Sequence, residues 1–352
     1  MKTEIIKAYL PNGDIDENAI KYAAEIIKHG GLVVMPTETV YGLGGDGTNP
    51  YAASNIYIAK GRPSDNPLII HVSDPHDAEK YAYTSNLYYS IAKSFMPGPI
   101  TVILEAKDSI PKETRGGLDT VAVRCPLNKV ANLLIKYSGV PIAAPSANLS
   151  GSPSPTCLSH VIDDMNGRVD AIIDGGNSEI GLESTIVKIN ADDTLTLLRP
   201  GKITIGDLMG IAPVSVADSV INKLAEGEKV LSPGMKYRHY APKAPLYLLD
   251  GNLESSIDYI RKKSCENPIA IICYTEEIEL YRAAFPEYDI YDFGNRTDES
   301  RQAYLLFSIL RDTDKKNYDT IYAPLPDTTG VGLALYNRMI RAAAHQIIKL
   351  GR

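Results

Sequence analysis

The chain has 352 residues, of which 44% are hydrophobic and 22% charged, with a formal net charge of -7. These values exclude a largely disordered chain and a global field that attracts nucleic acid, and the length favours two domains. The scattered cysteines offer no C-x-x-C pair for zinc. The start lacks an apolar segment of signal-peptide length, and no run approaches the roughly 20 apolar residues of a membrane span. We therefore expect a cytoplasmic protein without a membrane span or resident metal.

The first predicted elements are two helices separated by a strand. Apolar residues at helical spacing predict a helix over "DENAIKYAAEIIKHGG", with Asp16 as its N-cap and Gly30 as its stop. The apolar run "GLVVMP" predicts a strand directly after it. A second helix is predicted over "NPYAASNIYIAKGRP", with Pro50 in its first turn and its end near Gly61.

Between this strand and the second helix lies "MPTETVYGLGGDGTNP", which contains the spacing G-x-G-x-x-G. A dinucleotide site would also need an acidic residue about 20 positions further on, at the end of a strand, whereas Asp65 lies in a polar turn. We expect instead a tight polar loop whose backbone approaches a ligand. Thr37 and Thr39 would face that ligand, or would simply cap the turn.

The rest of the first domain is predicted to be rich in strands. They fall at "PLIIHV", "ITVILEA", "TVAVRC", "PIAAPS", "DAIIDGG", "STIVKI" and "TLTLLRPG". Many are followed by polar loops rather than helices, which predicts a twisted mixed sheet. We place this domain at 1–206 and a linker with little strand pattern at 207–242.

Residues 243–352 show strict alternation of strand and helix patterns. The predicted strands are "PLYLLD", "IAIICY", "YDIYDF" and "YDTIYAPL"; the predicted helices are "LESSIDYIRKK", "EIELYRAAF", "DESRQAYLLFSILRDTD" and "LALYNRMIRAAAHQIIKL". This alternation predicts a smaller Rossmann-like domain with a parallel sheet.

Basic and polar side chains surround a turn that two prolines constrain, in "KGRPSDNPLIIH". Lys60 and Arg62 provide an ammonium and a guanidinium that suit a polyphosphate, and Asn66 and His71 follow them. The alternatives are a solvated basic turn, and for His71 a satisfied core histidine. Arg124 ends the strand of "DTVAVRCP", so it is either salt-bridged or available to a carboxylate ligand.

Further polar residues follow other predicted strands. Ser146, Asn148 and Ser154 belong to "PIAAPSANLSGSPSPT", which could also be an ordinary Ser/Pro loop; Ser184 and Arg199 lie in "GLESTIV" and "LLRPGKIT". Together, cations and hydroxyls at strand ends favour an anionic nucleotide beside a small zwitterion.

The linker contains "SPGMKYRHYAP", with five consecutive cationic or aromatic residues from Lys236 to Tyr240. A passive linker is usually rich in Gly, Ser or Pro. This segment could fold back as a lid over a charged site, or its aromatic residues could pin it to the first domain.

The ordered motifs "PTETVYGLG", "KGRPSDNPL", "PGPITVIL", "LDTVAVRCP", "PIAAPSANLSG", "GLESTIV", "LRPG" and "SPGMKYRHYAP" resemble those of the YrdC-like threonylcarbamoyl-AMP synthases, in their long two-domain form. The resemblance implies a concave, positively charged cavity in the mixed sheet. It also implies that L-threonine, bicarbonate and ATP are condensed into threonylcarbamoyl-AMP and pyrophosphate, with Mg2+ accompanying ATP. The product would pass to proteins that modify tRNA beside the anticodon, with at most a weak contact to tRNA itself.

By the same resemblance, the motif positions carry the family's binding roles. Catalytic roles fall on Lys60 and Arg62. Threonine binding falls on Thr37, Thr39, His71, Arg124, Ala144 and Ser184. ATP binding falls on Arg62, Asn66, Thr120, Ser146, Asn148, Ser154, Arg199, Arg238, His239 and Tyr240.

A second hypothesis is a module that binds tRNA or double-stranded RNA without chemistry. Steep loss of binding with salt would identify it, because phosphate contacts dominate such interfaces. Few aromatic residues lie among the basic motif residues, which disfavours a base-stacking platform. A carbamoyl-transfer enzyme would need zinc-finger cysteines, which the motifs do not offer.

Overall fold

The computed structural model describes residues 2–222, 239–263 and 268–351. These residues form two compact units. The first holds the described residues up to 222 apart from 151–153, and the second holds 151–153 and everything described from 239 onward. No helix in the described ranges is long and apolar enough to span a bilayer.

The first unit is built on a mixed sheet, as predicted. Its order is β1-β9-β2-β3-β8-β4-β7-β6-β10-β11-β12, with β5 paired to β6. The strands are β1 Glu4–Lys7, β2 Val33–Met35, β3 Gly42–Asp46, β4 Ile69–His71, β5 Ala82–Tyr83, β6 Ile100–Ala106, β7 Thr120–Arg124, β8 Ile142–Ala143, β9 Ala171–Asp174, β10 Thr185–Ile189, β11 Leu195–Arg199 and β12 Val214–Val216. β4 pairs parallel with β7 and antiparallel with β8, which confirms the mixed character.

The first two helices of this unit lie where they were predicted, and the other five were not predicted from the sequence. The helices are α1 Glu17–Lys28, α2 Pro50–Lys60, α3 Asn86–Phe95, α4 Lys112–Arg115, α5 Lys129–Ser138, α6 Leu158–Met165 and α7 Ile205–Met209, with short 3-10 turns at Pro75–Lys80 and Asp218–Val220. Asp16 caps α1 by accepting from two backbone N–H groups, each at 3.1 Å. Gly61 ends α2 in the left-handed conformation, where glycine carries no Cβ penalty.

The predicted glycine loop is wrong in its local structure, because residues 42–46 form strand β3, between β2 and β8. Its glycines are explained by close packing. A Cβ on Gly44 would lie 2.7 Å from Ile142 Cγ2, and one on Gly47, just past the strand, would lie 2.9 Å from the Pro141 carbonyl oxygen. The missing side chains therefore allow close approach of neighbouring strands.

The predicted boundary at residue 206 falls inside α7. Beyond it, β12 pairs with β11 and joins the first sheet. The first unit therefore continues to at least residue 222, and the predicted linker is wrong over 207–222 because this stretch supplies an edge strand. Residues 223–238 lie outside the described ranges.

The second unit confirms the predicted parallel sheet. Its order is β15-β14-β16-β13-β17 with every pair parallel. The strands are β13 Leu246–Gly251, β14 Ile269–Cys273, β15 Asp289–Asp292, β16 Thr320–Pro324 and β17 Ile347–Gly351; the helices are α8 Leu253–Lys263, α9 Ile278–Ala284, α10 Glu299–Thr313 and α11 Gly332–Ala342, with a 3-10 turn at Thr275–Glu277.

The prediction that the last helix runs to Leu350 is wrong. The chain leaves the helix after Ala342, and Ala344 and His345 adopt positive φ angles of 48° and 64°. Two left-handed residues cannot continue a right-handed helix. The β-branched pair that follows, Ile347 and Ile348, pairs instead with β13.

Candidate functional site

The segment between β2 and β3 is buried and internally hydrogen-bonded. Thr37 and Thr39 are 2% and 0% exposed, and their hydroxyl oxygens lie 2.8 Å apart. Thr37 Oγ1 also accepts from the backbone N–H groups of Thr39 and Val40, each at 3.2 Å. The capping role left open by the sequence is therefore present, because the Thr37 hydroxyl closes the turn.

The same segment links several loops through its backbone. The N–H groups of Ile180 and Gly181 donate to the carbonyls of Glu38 and Thr39, at 2.8 and 3.1 Å. The Tyr41 carbonyl accepts from Ala147 N–H at 2.8 Å, and Tyr41 N–H donates to the Pro155 carbonyl at 2.9 Å. These bonds connect two loops to the turn that contains Thr37 and Thr39. One is the loop after β8 that carries Ser146, Asn148 and Ser154, called the serine loop below, and the other is the loop before β10.

Arg124 forms a buried ion pair with Glu38. Arg124 Nη2 lies 2.7 Å from Glu38 Oε1, and the two side chains are 5% and 3% exposed. Burial works to raise the pKa of Glu38, but the Arg124 cation and its hydrogen bond outweigh it and hold that pKa below its ordinary value. The Arg124 Nε–H has no hydrogen-bond partner among the described residues. Arg124 is thus salt-bridged and also retains a donor for a ligand.

His71 lies beside Arg124, because the two residues are register partners on the parallel strands β4 and β7. His71 Nδ1 lies 3.2 Å from each of two carbonyl oxygens, those of Ile69 and Ile142. Since a carbonyl only accepts, Nδ1 carries the proton and Nε2 is the acceptor. Burial, helped by the nearby Arg124 cation, lowers the pKa of His71 to about 3. The ring is therefore neutral at physiological pH.

The free energy of unfolding should fall in acid because of His71. Its folded pKa of about 3 lies below the ordinary 6.5, so the unfolded chain takes up the proton first and stability is lost as pH falls from 6.5 toward 3. The His71→Asn variant keeps an N–H donor but cannot titrate. Between pH 7.5 and 5, wild type should lose about 2 kcal/mol more than this variant. Urea unfolding followed by circular dichroism measures the free energy of unfolding of both proteins at each pH. If this free energy depended on pH in the same way in wild type and in His71→Asn, the ring would not be buried in its neutral form.

Ser184 and Arg199 are brought together next to the start of β10. Arg199 Nε donates to the Ser184 carbonyl at 3.0 Å and Nη2 to its hydroxyl at 3.1 Å. The same hydroxyl lies 2.7 Å from Thr101 Oγ1. A predicted threonine-binding residue and a predicted ATP-binding residue thus share one cluster.

Lys60 holds the turn that contains Ser146 and Asn148. Lys60 is 2% exposed, so its ammonium is buried. The ammonium donates to the carbonyl oxygens of Ser146 and Asn148 and to Asn148 Oδ1. The Ser146 hydroxyl donates to the same amide oxygen. A buried ammonium needs such partners, and here it fixes the predicted ATP-binding loop.

Arg62 folds over the turn that follows α2. Its Nε and Nη2 donate to the carbonyl oxygens of Asn66 and Pro67, each at 3.3 Å. Asn66 is 1% exposed, and its Oδ1 has no hydrogen-bond partner among the described residues. An unsatisfied buried amide oxygen is costly, and at a predicted ligand site it marks an acceptor for a donor group.

Three further predicted residues take different positions. The Ser154 hydroxyl donates to Glu183 Oε1 at 2.5 Å. Ala144 N–H donates to the Ile69 carbonyl at 2.9 Å. Thr120 begins β7 and pairs with Glu105, so about 13 Å of strand separates it from Arg124. The hydrogen bonds of the described residues do not link Thr120 to the other candidates.

The linker candidates are only partly described. Arg238 lies outside the described residues. His239 and Tyr240 belong to the second unit, where the Tyr240 ring packs 5.2 Å from that of Phe307. Their contribution to a nucleotide site stays a prediction.

Sequence reasoning missed three residues that organise the site. Glu38 and Glu183 are buried carboxylates bonded to Arg124 and Ser154, and Thr101 is bonded to Ser184. Glu38 lies between the two predicted threonines, and Glu183 directly precedes Ser184. For Glu38 and Glu183, the signal available in the sequence was a single carboxylate inside a motif of apolar and hydroxyl residues.

Two family models match consecutive parts of the chain. The one described as telomere recombination, Sua5_yciO_yrdC, matches residues 25–201. The one described as the threonylcarbamoyl-AMP synthase C-terminal domain matches residues 203–344.

Similar proteins extend over nearly the whole chain. A threonylcarbamoyl-AMP synthase of Bacillus subtilis is 41% identical over 94% of both chains. One of Pyrococcus abyssi is 39% identical over 96% of this chain and 97% of its own. The crystal structure of P. abyssi Sua5 complexed with L-threonine superposes with a TM-score of 0.87 at 36% identity, covering 99% of this chain and 100% of that one. The predicted family is confirmed: this chain belongs to the threonylcarbamoyl-AMP synthases.

Proposed function

We propose that this chain condenses L-threonine, bicarbonate and ATP into threonylcarbamoyl-AMP and pyrophosphate. The observation that carries the proposal is the cluster of Arg124, Glu38 and His71, where a partly satisfied buried guanidinium lies beside a neutral imidazole acceptor. This pair suits a zwitterion that also carries a hydroxyl. Family membership supplies the reaction.

In this proposal threonine lies against the buried turn. Its carboxylate accepts hydrogen bonds from Arg124, whose unpaired Nε–H is available. His71 Nε2 accepts a hydrogen bond from a donor group of the substrate, because the Nδ1–H already donates to the carbonyl oxygens of Ile69 and Ile142. Thr37, Thr39, Ser184 and the backbone of Ala144 complete the threonine site.

ATP binds through residues of the turn after α2, the serine loop and β11. Arg62 is the group that neutralises charge on the phosphates, with Arg199 as a second cation of the ATP site. Lys60 supports this site by holding the carbonyls of Ser146 and Asn148, and so acts as a positioning residue. The remaining ATP-binding candidates are Asn66, Thr120, Ser154, Arg238, His239 and Tyr240.

The reaction needs no covalent enzyme intermediate. The neutral amine of threonine and bicarbonate give a carbamate and water. A carbamate oxygen then bonds to the α-phosphorus of ATP, and the bond to the β-phosphate oxygen breaks as pyrophosphate leaves with the electron pair. With a pKa of about 3, His71 is a poor base at neutral pH and orients the substrate instead.

The residues that the structure describes do not form a site for Mg2+ by themselves. In the described ranges no group of three His, Cys, Asp or Glu could hold a metal ion, and Glu38 and Glu183 are already bonded to Arg124 and Ser154. Mg2+ therefore enters on the phosphates of ATP.

We place the enzyme in the cytoplasm, upstream of proteins that transfer the threonylcarbamoyl group to tRNA. The buried thiols of Cys125 and Cys273, which form no disulfide, accord with a reducing compartment. The predicted concave cavity, the lid over it and any weak tRNA contact stay predictions.

Pyrophosphate release in the presence of ATP, Mg2+, bicarbonate and L-threonine tests the proposal. Release should require both threonine and bicarbonate, and mass spectrometry should show the adenylate. Nucleotide binding without release under any combination would contradict the enzyme. In that case steep loss of RNA binding with salt would favour the RNA-binding alternative.

A further inference from the structure

A cavity of about 510 Å³ opens in the second unit at the carboxyl edge of its parallel sheet. The ends of three adjacent strands, β14, β16 and β13, contribute to its lining. Apolar walls come from Leu249, Ile271 and Tyr322, and Tyr281 of α9 closes one side. The volume is in the range of small-molecule sites.

The strand order explains why a crevice forms there. β16 and β13 are neighbours in the sheet. From β13 the chain runs through α8 to β14, in one direction along the strand order. From β16 it runs through α11 to β17, in the other direction. Connections that depart in opposite directions leave a gap beyond the carboxyl ends of the two strands. Open α/β sheets bind ligands at this switch point.

The turn after β13 is unsuited to phosphate. A phosphate-binding turn there is glycine-rich and leads into a helix with free N–H groups. Here β13 ends in Asp250-Gly251 and Asn252 alone leads into α8, and the Asn252 side chain already accepts from Ser255 N–H at 2.9 Å. The half-buried Asp250 carboxylate forms no hydrogen bond or ion pair with a described residue. The negative charge of Asp250 would repel an anion that entered the cavity.

The other charged groups of the lining increase this negative character. Arg296 is neutralised by an ion pair with Glu277, and its guanidinium lies 4.1 Å from the ring centre of Tyr274. Asp327, like Asp250, has no hydrogen-bonding or ion-pair partner among the described residues. Three carboxylates against one guanidinium leave two negative charges uncompensated.

We propose that this cavity binds a small aliphatic molecule that carries two positively charged amino groups. Asp250 and Asp327 pair with the two ammonium groups, and the apolar walls contact the methylene chain between them. Neither the family's reaction nor its substrates assign a ligand to this place.

Three four-carbon probes of different charge test the proposal on the full chain. Putrescine is a dication, 1,4-butanediol is neutral and succinate is a dianion. The Ile271 methyl signals in a ¹³C-methyl NMR titration should shift saturably with putrescine only, while those of Ile20, buried in α1 of the first unit, stay unchanged. Binding of succinate, or no saturable shift with any probe, would overturn the proposal.

A pair of matched variants assigns the effect to the cavity. Asp250→Asn should weaken putrescine binding by about tenfold or more, because a charge-assisted contact is lost. Its unfolding temperature should match wild type, since the Asp250 carboxylate has no hydrogen-bond or ion-pair partner among the described residues. Glu279→Gln, on α9 but outside the lining and 82% exposed, should bind like wild type. Equal affinity in wild type and the Asp250 and Asp327 amide variants would refute the assignment.

Discussion

Replacing Arg124 by alanine is expected to lower kcat/KM for L-threonine by on the order of a hundred- to a thousandfold. The substitution removes the group that would bind the substrate carboxylate, and truncating one partner of a buried, hydrogen-bonded charge pair costs several kcal/mol. Initial rates of pyrophosphate release at varied threonine and saturating ATP measure the effect. The affinity for ATP should change little by comparison.

The same substitution should also destabilise the first unit, by about 3 to 5 kcal/mol, because Glu38 is left as an uncompensated buried charge. Combining Arg124→Met with Glu38→Gln removes both charges and should recover most of that free energy of unfolding. The double variant should nevertheless stay inactive. If it regained activity, or if Arg124→Ala kept full activity, Arg124 would not bind the substrate.

Replacing Arg62 by alanine is expected to lower kcat by on the order of a hundredfold with the fold intact. Arg62 is half-buried and donates hydrogen bonds to the carbonyls of Asn66 and Pro67 in its own turn, as described above. Its positive charge would stabilise charge that develops on the phosphates, which is worth about 10² to 10³ in rate. Pyrophosphate release at saturating threonine measures the loss.

Lys28→Ala provides the matched control for Arg62→Ala. Lys28 is an exposed cation at the end of α1, paired with Glu25 at 2.7 Å. Its loss changes net charge by the same amount and should leave the rate unchanged. Equal rates for wild type and Arg62→Ala would remove Arg62 from the nucleotide site, whereas equal losses in both variants would indicate a general charge effect.

Much of the fold could be predicted because its signals are local. Asp16, Pro50 and Gly61 mark helix ends through chemistry confined to one turn. The strict alternation after residue 243 predicted a parallel sheet, since parallel strands need crossover helices. Arg124 could be recognised as a residue requiring a partner from its place on an apolar strand.

The errors arose where a distant contact decides the outcome. Residues 42–47 have the composition of a loop, and the close approach of Ile142 to Gly44 and of Pro141 to Gly47 cannot be predicted from the local sequence. Glu38 and Arg124 are 86 positions apart in the chain, so neither residue identifies the other. The break after α11 depends on two residues, Ala344 and His345, whose identity does not signal a left-handed conformation.

Strand β3 limits how this enzyme can vary over evolutionary time. Where a strand is built with side chains, a change at one position can be compensated by a smaller neighbour. At Gly44 one contact that a methyl group would violate is the carbonyl oxygen of Val33, at 3.1 Å, and at Gly47 the nearest is that of Pro141. Backbone atoms cannot be made smaller by mutation. Descendants of this sequence can therefore change the side chains of the site one at a time, but they inherit Gly44 of the strand and Gly47 just past it as a fixed pair.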